Sequence, residues 1–305
     1  MGNRWPVQAT ADRLMNATKK KVAHLHEHGC TPHLAVVLVG EDPASKVYVE
    51  HKIRACKSLG IHSTFKNLPD NSSTEDLLSA VRELNQNPRV HGILVQLPLP
   101  KHIEEQQVIH AIDPSKDVDG FHPINVGLLS LGQEGLFPCT PMGVMELLKD
   151  GGIPLKGKHA VIVGRSNIVG KPMAQLLLKE HCTVTILHSR TVNPEALCKQ
   201  ADIVVVAVGR PGLVDASWLK PGAWVVDIGI NQITEKADAE RLLKASGKKM
   251  ANFIEKGHQL YGDVNYLSAL QVADKVTPVP GGVGKLTIAH LMYNCTLAAE
   301  RMVST

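Results

Sequence analysis

The chain has 305 residues, enough for two domains, and its 44% apolar and 20% charged residues are ordinary for a globular protein. The formal net charge of +4 is spread along the chain without a basic block, so small anions are better candidate ligands than nucleic acid. No stretch reaches the roughly 18 apolar residues that a membrane span needs, and the N-terminus lacks the apolar region of a signal peptide. We therefore expect a cytoplasmic protein whose partners include neither a membrane nor a nucleic acid.

The cysteine and histidine positions argue against disulfide and metal chemistry. The cysteines form no C-x-x-C pair, which is typical of reduced thiols. His24 and His28 share a predicted helix face, but no third ligand accompanies them, so we expect no metal ion. The six cysteines are Cys30, Cys56, Cys139, Cys182, Cys198 and Cys295.

Short runs of apolar and β-branched residues alternate with amphipathic segments. Such runs are typical of parallel strands covered by helices on both faces, so the pattern predicts an α/β fold. The six runs are 34-LAVVLVG-40, 91-HGILVQLPL-99, 159-HAVIVG-164, 183-TVTILH-188, 202-DIVVVAVG-209 and 224-WVVDIG-229.

The segment 45-SKVYVEHK-52 follows the first run and separates Tyr48 from Lys52 by four residues. On a helix the two side chains share a face, so the ring could cover a flat ligand while the ammonium acts at its edge. A half-buried tyrosine beside a solvated lysine is the alternative. The same Y-x-x-x-K spacing occurs in short-chain dehydrogenases, but there the dinucleotide glycines precede the pair, and here they follow it.

The second run leads to Gln96, at a strand end of the kind where α/β proteins bind ligands. The segment 116-KDVDGFHPINVG-127 then supplies Asp117 and Asp119. A carboxylate near Lys52 would hold the ammonium or exchange protons with a substrate nitrogen. Either aspartate could equally be a turn-forming residue.

Proline and glycine cluster between residues 137 and 158, which indicates a domain boundary. The closely spaced strands that follow are typical of a nucleotide-binding domain. The last apolar helix, from Leu286 to Met302, has no strand after it, so we expect it to pack on the first domain. The prediction is an α/β domain of residues 1–139 completed by 286–305, and a Rossmann-type parallel sheet in residues 140–285.

The second domain begins with strand, glycine turn and helix in 159-HAVIVGRSNIVGKPMAQLLL-178. Gly164 would allow the sharp turn and Gly170 the close approach of helix to strand, while the helix N-terminus faces a pyrophosphate. The glycine spacing departs from G-x-G-x-x-G, so a plain βα turn is the alternative. The two segments that look like a P-loop, 164-GRSNIVGKP-172 and 281-GGVGKLT-287, do not fit the P-loop pattern.

Polar residues after the next strand favour NADP over NAD. Ser189, Arg190 and Thr191 stand where an NAD enzyme usually carries an acidic residue, and Arg165 lies in the glycine turn. Hydroxyls and guanidinium groups would bind a 2′-phosphate, although either arginine alone could be a solvated surface residue. A further glycine segment, 277-TPVPGGVGKLT-287, forms either a ligand loop or an ordinary connection.

Together and in this order, these segments resemble the bifunctional methylenetetrahydrofolate dehydrogenase/cyclohydrolase family from about residue 32 onwards. The motifs that carry the resemblance are VGEDPASKVYVEHK, GILVQLPLP, KDVDGFHPINVG, PCTPMGV, GRSNIVGKPM, HSRT, ADIVVVAVGRPG, VVDIGIN, GDV and TPVPGGVG.

The resemblance implies a role for each matching residue. Tyr48 would stack on the folate, Lys52 would catalyse the cyclohydrolase step, and Gln96 and Asp119 would adjust that lysine and bind the pterin. The expected NADP contacts are Gly164, Arg165, Ser166, Ser189 and Ile230, with Arg165 and Ser189 at the 2′-phosphate. The expected loop beside the substrate contains Pro280, Gly281 and Gly282.

The resemblance also implies NADP-dependent oxidation of 5,10-methylenetetrahydrofolate and hydrolysis of the methenyl product to 10-formyltetrahydrofolate, in a cleft between the domains. Such an enzyme would serve one-carbon metabolism and purine biosynthesis as a homodimer. A non-catalytic binder of folate or nucleotide is the competing hypothesis, and the joint presence of Lys52, Gln96 and Asp119 argues against it.

Three segments depart from the family pattern, and one of them is the N-terminus before Leu14, which lacks a recognisable family opening. Gly284 is followed by Lys285-Leu286-Thr287 where Pro-Met-Thr is usual, which adds a charge beside the predicted ligand loop. The usual short link before 262-GDV-264 is replaced by residues 232–261, which have helix-favouring content.

Overall fold

The protein is described from a computed structural model that covers residues 2–246, 253–255 and 257–303. The strands are β1 (Asn3–Arg4), β2 (His33–Val39), β3 (His62–Leu68), β4 (Gly92–Val95), β5 (His159–Val163), β6 (Thr183–Leu187), β7 (Ile203–Val206), β8 (Trp224–Asp227), β9 (Asn231–Ile233), β10 (Gln259–Tyr261) and β11 (Lys275–Val276). The helices are α1 (Gln8–Glu27), α2 (Pro43–Leu59), α3 (Thr74–Gln86), α4 (Glu105–Ala111), α5 (Pro123–Ser130), α6 (Cys139–Asp150), α7 (Gly170–Lys179), α8 (Pro194–Cys198), α9 (Lys236–Ser246), α10 (Tyr266–Ala269) and α11 (Gly284–Val303).

The chain forms two compact units, which we name by their main sheets. The three-stranded unit contains Ala11–Cys139 and Thr287–Thr305, and the six-stranded unit contains Met1–Thr10 and Thr140–Leu286. All six predicted strands are confirmed, as β2 and β4 to β8. The α/β fold class is confirmed with them.

The three-stranded unit is a parallel sheet in the order β3-β2-β4. Every residue of the central strand β2 is buried, which explains why its sequence is a continuous apolar run. One face of the sheet packs against α2 and the middle of α11, where Met292 and Cys295 belong to the cluster that contains Leu34 and Val36. The C-terminal helix therefore completes this unit, as predicted.

The six-stranded unit is a parallel sheet in the order β1-β11-β8-β7-β5-β6. The chain runs outward from β5 to β6 and then returns to β7 on the other side of β5. That reversal creates a topological switch point, the position at which open α/β sheets bind ligands beyond their carboxyl strand ends. The predicted Rossmann-type parallel sheet is thus present.

The unit boundaries differ from the predicted division at residues 1–10 and at Leu286. Residues 1–10 belong to the six-stranded unit because β1 pairs with β11 and Trp5 packs edge-on against Trp224 with ring centroids 4.8 Å apart. Leu286 belongs there because it packs against α6, where an added Cβ on Gly143 would lie 2.7 Å from the Leu286 Cβ.

Several elements escaped the sequence patterns. β3 is an edge strand whose residues are partly or fully exposed, so its sequence lacks an apolar run. Within the predicted insertion at 232–261, α9 is flanked by the antiparallel pair β9 and β10. Residues 247–252 and 256 of that insertion lie outside the described residues. In the described part of the chain, no helix combines the length and apolar character that crossing a membrane requires.

Candidate active site

Helix α2 carries Tyr48 and Lys52 on one face, which also bears its buried residues Val49 and Cys56. The Asp42 carboxylate accepts a hydrogen bond from the Ser45 backbone N–H at 2.7 Å, which caps the helix N-terminus, and Gly60 ends the helix in a left-handed conformation with φ 78°. Val49 is 2% exposed and anchors that face, whereas Tyr48 is 37% exposed. The predicted shared face is therefore present.

Lys52 and Gln96 are in direct contact. The Lys52 Nζ donates to Gln96 Oε1 at 2.9 Å, while the Gln96 side-chain nitrogen donates to the Leu97 carbonyl. The Gln96 backbone N–H donates to the Val37 carbonyl at 2.8 Å, which holds the residue immediately beyond the end of β4. Because its amide nitrogen is engaged, Gln96 turns its oxygen toward the ammonium.

The two aspartates of the 116–127 segment have different positions. Asp117 is 2% exposed and accepts hydrogen bonds from the Gly120 N–H, the His122 N–H and the Asn125 side chain. It is therefore a turn-forming residue. The Asp119 carboxylate instead interacts electrostatically with Lys52.

A buried lysine and an asparagine hold this segment in place. The Lys116 Nζ donates to the Leu84, Asn85 and Asn87 carbonyls at the end of α3, where a cation is favoured. The Asn294 side chain, on α11, donates to the Val118 carbonyl at 2.8 Å. Asp119 is thus fixed next to an anchored backbone.

Burial and neighbouring charges perturb the ionisation of the cluster. Burial lowers the pKa of Lys52, and the nearby Asp119 and Cys139 oppose that shift. Burial raises the pKa of Asp119 to about 6, with Lys52 opposing the shift and Asp117 adding to it. Burial, together with Asp119, raises the pKa of the Cys139 thiol well above its usual value. Shifted groups clustered in this way are typical of sites that transfer protons.

The six-stranded unit carries a cavity of about 510 Å³ at the carboxyl ends of β5, β6 and β7. Two glycines shape the strand-helix turn beside it. A Cβ on Gly164, which has φ 129°, would lie 2.2 Å from the Ala207 carbonyl oxygen, and one on Gly170 would lie 2.4 Å from the Gly164 oxygen. Only glycine allows strand, turn and α7 to approach this closely.

The cavity wall combines three hydroxyl-bearing residues with two arginines. Arg165, Ser166, Ser189, Thr191 and Arg210 line it, and its volume lies in the range of small-molecule sites. Arg190 is absent from the described lining, and its backbone N–H donates to His188 Nδ1 in the turn. The second guanidinium is therefore that of Arg210.

Ser166 lines the same cavity and also supports the helix. Its Oγ accepts hydrogen bonds from the Val169 and Gly170 N–H groups, both at 3.2 Å. The hydroxyl therefore satisfies two N–H groups at the N-terminus of α7, the end of a helix that carries partial positive charge.

Ile230 and the 277–284 segment lie together, apart from the described lining of that cavity. The Ile230 Cδ1 is 3.9 Å from the position of a Cβ on Gly284. Pro280 follows a cis peptide bond and is exposed, and Gly281 has φ 87°. A Cβ on Gly282 would lie 2.2 Å from the Pro278 oxygen, so this backbone requires glycine.

Sequence patterns missed three residues of interest. Arg210 lies in the quoted motif ADIVVVAVGRPG, but a single arginine after a strand carries no distinctive signal. Asp227 and Asp263 are 3% and 0% exposed. Two sequence features could have found them. Asp227 is a charged residue at the end of a buried apolar strand, where carboxylates are rare, and Asp263 directly follows Gly262.

The fold and these side chains define a two-unit α/β protein that combines a Rossmann-type dinucleotide cavity with a lysine-amide-carboxylate cluster. Comparisons with known proteins agree. Residues 6–119 match the family model described as "Tetrahydrofolate dehydrogenase/cyclohydrolase, catalytic domain", and residues 138–303 match "Tetrahydrofolate dehydrogenase/cyclohydrolase, NAD(P)-binding domain". The chain belongs to the tetrahydrofolate dehydrogenase/cyclohydrolase family.

Individual relatives resemble the chain over nearly its whole length. "Bifunctional protein FolD" of Solibacter usitatus is 50% identical over 290 residues, which are 95% of each chain. "Bifunctional protein FolD 3" of Ectopseudomonas mendocina is 52% identical over 298 residues, covering 98% of this chain and 91% of the relative.

Solved structures give the same result. The bifunctional FolD enzyme of Campylobacter jejuni has a TM-score of 0.88 at 41% identity, with 99% of both chains covered. The Trypanosoma brucei methylenetetrahydrofolate dehydrogenase-cyclohydrolase, solved with NADP cofactor and an inhibitor, has a TM-score of 0.89 at 35% identity and covers 100% of this chain and 99% of its own.

Proposed function

We propose that this protein oxidises 5,10-methylenetetrahydrofolate with NADP⁺ and hydrolyses the resulting 5,10-methenyltetrahydrofolate to 10-formyltetrahydrofolate. Family membership supports both activities. The observation that carries the proposal is the hydrogen bond between Lys52 and Gln96, with the Asp119 carboxylate beside it, at the carboxyl end of a parallel sheet.

The residues of the cavity at the carboxyl ends of β5, β6 and β7 suit NADP. Gly164 and Gly170 permit close approach of the pyrophosphate to the α7 N-terminus, where Ser166 satisfies two N–H groups. Arg165 and Ser189 suit a 2′-phosphate, because a guanidinium and a hydroxyl bind a dianion that a carboxylate would repel. Bound NADP⁺ supplies the hydride acceptor. Ile230 and the Pro280–Gly282 loop are the further proposed contacts, with cofactor and substrate respectively.

The dehydrogenase step needs mainly positioning. Hydride transfer requires the donor carbon and the acceptor to approach to about 3 to 3.5 Å. We assign Tyr48 to this task, because a partly exposed ring one helical turn from Lys52 can stack on a flat pterin. The location of the complete site in a cleft remains a prediction.

The cyclohydrolase step needs proton transfers, and Lys52 is the group we assign to them. Water adds to the methenyl carbon and loses one proton to leave a neutral hydroxyl adduct. The hydroxyl proton then leaves as the formyl C=O forms, and the ring nitrogen gains a proton as its bond to that carbon breaks, so that one proton is released overall. Burial lowers the Lys52 pKa and so increases the neutral fraction available to accept the proton. Gln96 orients the Lys52 amine, and the Asp119 carboxylate balances the positive charge of the protonated lysine.

The Lys52→Met variant tests this assignment. We expect it to reduce NADP⁺ with methylenetetrahydrofolate and to accumulate the methenyl product, which absorbance follows directly. Lys57→Met is the matched control, because Lys57 is exposed on the same helix. Normal hydrolysis of methenyltetrahydrofolate by the Lys52 variant would refute the role. Tight binding of both ligands without reduction by the unaltered protein would instead indicate a non-catalytic binder.

We also propose a cytoplasmic homodimer. The edge strand β6 supports an association surface, because Ile186 on β6 is 37% exposed and Leu178, at the end of α7, is 58% exposed. Light scattering coupled to gel filtration tests the proposal, and a mass of one chain would refute it.

A further inference from the structure

Two buried aspartates join three backbone segments at the carboxyl edge of the six-stranded sheet. Asp227 is the last residue of β8, and Asp263 follows β10. They are 3% and 0% exposed. Burial of two carboxylates is costly unless each is fully hydrogen-bonded, so their partners indicate what the arrangement holds in place.

Asp263 binds the backbone that follows β7. One carboxylate oxygen, Oδ2, accepts hydrogen bonds from the consecutive N–H groups of Val208 at 2.6 Å and Gly209 at 2.9 Å. Val208 lines the cofactor cavity, and Arg210 lines it two residues later. Gly209, with φ 64°, makes the turn between them. Asp263 therefore fixes the path of the chain from the end of β7 to Arg210, which forms part of the cavity wall.

The other Asp263 oxygen holds the exit of β8. Oδ1 accepts from the Asn231 side-chain nitrogen at 2.9 Å, and Asn231 directly follows Ile230, a proposed cofactor contact. Asp263 thus connects a wall of the cavity with the segment that carries Ile230.

Asp227 in turn holds Asp263. Its Oδ1 accepts from the N–H groups of Gly229 and Asp263, and its Oδ2 accepts from Val264, all at 3.0 Å. The glycines of these segments make room for the carboxylates. A Cβ on Gly229 would lie 2.3 Å from the Asp263 Cγ, and one on Gly262 would lie 1.8 Å from the Asp227 Oδ2.

From this arrangement we propose that Asp263, held by Asp227, is a positioning residue of the cofactor site. It keeps the Val208 and Gly209 peptides, and through them Arg210, in the orientation that binds NADP. The inference rests on the proposed function, because it concerns the affinity for the same cofactor. Neither aspartate is assigned a contact with substrate or a proton transfer.

The Asp263→Asn variant removes one acceptor without changing the side-chain size. Its carboxamide oxygen can still accept from Val208 and Gly209, but its NH2 group then faces the Asn231 NH2 group, so two donors oppose each other. We expect the Kd and KM for NADP⁺ to rise by about tenfold, because a lost buried hydrogen bond has that order of effect. Cyclohydrolase activity on added methenyltetrahydrofolate, which uses no cofactor, should change by less than about twofold.

A compensating change separates positioning from general stabilisation. In Asp263→Asn/Asn231→Asp the donor and acceptor exchange places, so the hydrogen bond between the two side chains can form again, while the bond from the Asn231 nitrogen to the Tyr261 carbonyl, 3.2 Å in the unaltered protein, is lost. We expect the double variant to recover part of the affinity for NADP⁺, while Asn231→Asp alone weakens it by opposing two carboxylates. Asp274→Asn, at an exposed aspartate of the same unit, is the control.

The outcomes are distinct. Unchanged NADP⁺ affinity in Asp263→Asn, or no recovery in the double variant, overturns the proposal. Equal loss of both activities with a lowered Tm, or loss of folded protein that the second change does not rescue, assigns Asp263 a purely structural role. Failure of the unaltered protein to bind NADP⁺ would refute the proposed function instead.

Discussion

Replacing Gln96 should shift the pKa of Lys52, downward when the new residue is leucine and upward when it is glutamate. The Gln96 oxygen accepts a hydrogen bond from the Lys52 Nζ at 2.9 Å, and a carbonyl oxygen favours the charged donor over the neutral one. Gln96→Leu removes that acceptor, so the Lys52 pKa should fall further. Gln96→Glu places a carboxylate at the same position, so the pKa should rise.

The size of both shifts follows from the geometry. A hydrogen bond to a charged group contributes about 1.5 to 3 kcal/mol, and about 1.4 kcal/mol equals one pKa unit. Because Lys52 and Gln96 are only partly buried, we expect a fall of about one unit in Gln96→Leu. Two unit charges about 4 Å apart interact by roughly 4 kcal/mol at an effective dielectric constant of 20. Desolvation of the new carboxylate offsets part of this, so we expect a rise of roughly one to two units in Gln96→Glu.

NMR of protein labelled at the lysine ε-carbon measures the shift directly, and the signal missing from Lys52→Met identifies Lys52. The acidic limb of the cyclohydrolase pH profile should move in the same direction as the pKa. Gln106→Glu, at an exposed glutamine of the same unit, should leave the Lys52 titration unchanged. Shifts of the same sign in both Gln96 variants would refute the electrostatic coupling of the pair.

Three further predictions concern the cofactor cavity and stability. Arg210→Gln should raise the KM for NADP⁺ by about tenfold, whereas Arg190→Gln should have little effect, because only the first arginine lines the cavity. His33 has its pKa lowered to about 4 by burial and by His62, so the native state binds fewer protons than the unfolded state between pH 6.5 and 4. Stability should therefore fall by about 3 kcal/mol as the pH drops through that window, and less steeply in His33→Gln, as measured by urea unfolding. Gly262→Ala should destabilise the protein by about 1 to 3 kcal/mol, because the added Cβ would overlap Asp227.

Each of these has a clear contrary result. Equal effects of the Arg210 and Arg190 variants on the KM for NADP⁺ would contradict the assignment of the second guanidinium. An unaltered slope of stability against pH in His33→Gln would show that other groups dominate that range. Gly127→Ala is the control for Gly262→Ala, because Gly127 lies within α5 with no atom within 4 Å of an added Cβ. It should be neutral or slightly stabilising.

The pattern of apolar residues predicted the main strands, because a strand that is buried on both faces needs apolar side chains at successive positions. β2 is buried at every position and appears in the sequence as an uninterrupted apolar run. The exposed edge strand β3 lacks that signal, because an edge strand with its side chains in solvent needs no apolar run. The terminal strand β1 forms through pairing with β11, more than 270 positions away, which no local pattern reports.

The candidate site was predictable wherever its geometry is local. Tyr48 and Lys52 share a helix face because their spacing matches the helical repeat, and Gly164 and Gly170 shape a turn inside one strand-helix unit. The residue pattern by itself did not distinguish Asp117 from Asp119, and the family resemblance alone selected Asp119. The two lie in one short segment, and packing directs the Asp117 carboxylate to turn N–H groups and the Asp119 carboxylate toward Lys52.

The sequence by itself thus determined an α/β protein with a helix-borne Tyr-Lys pair and a glycine turn before a dinucleotide-type helix, because these depend on neighbours a few positions apart. Only the tertiary structure decided that Arg210 lines the cavity and that Asp227 and Asp263 together hold its wall. Strand order brings together side chains that are 36 to 55 positions apart in the chain, and strand order follows from packing of the whole sheet.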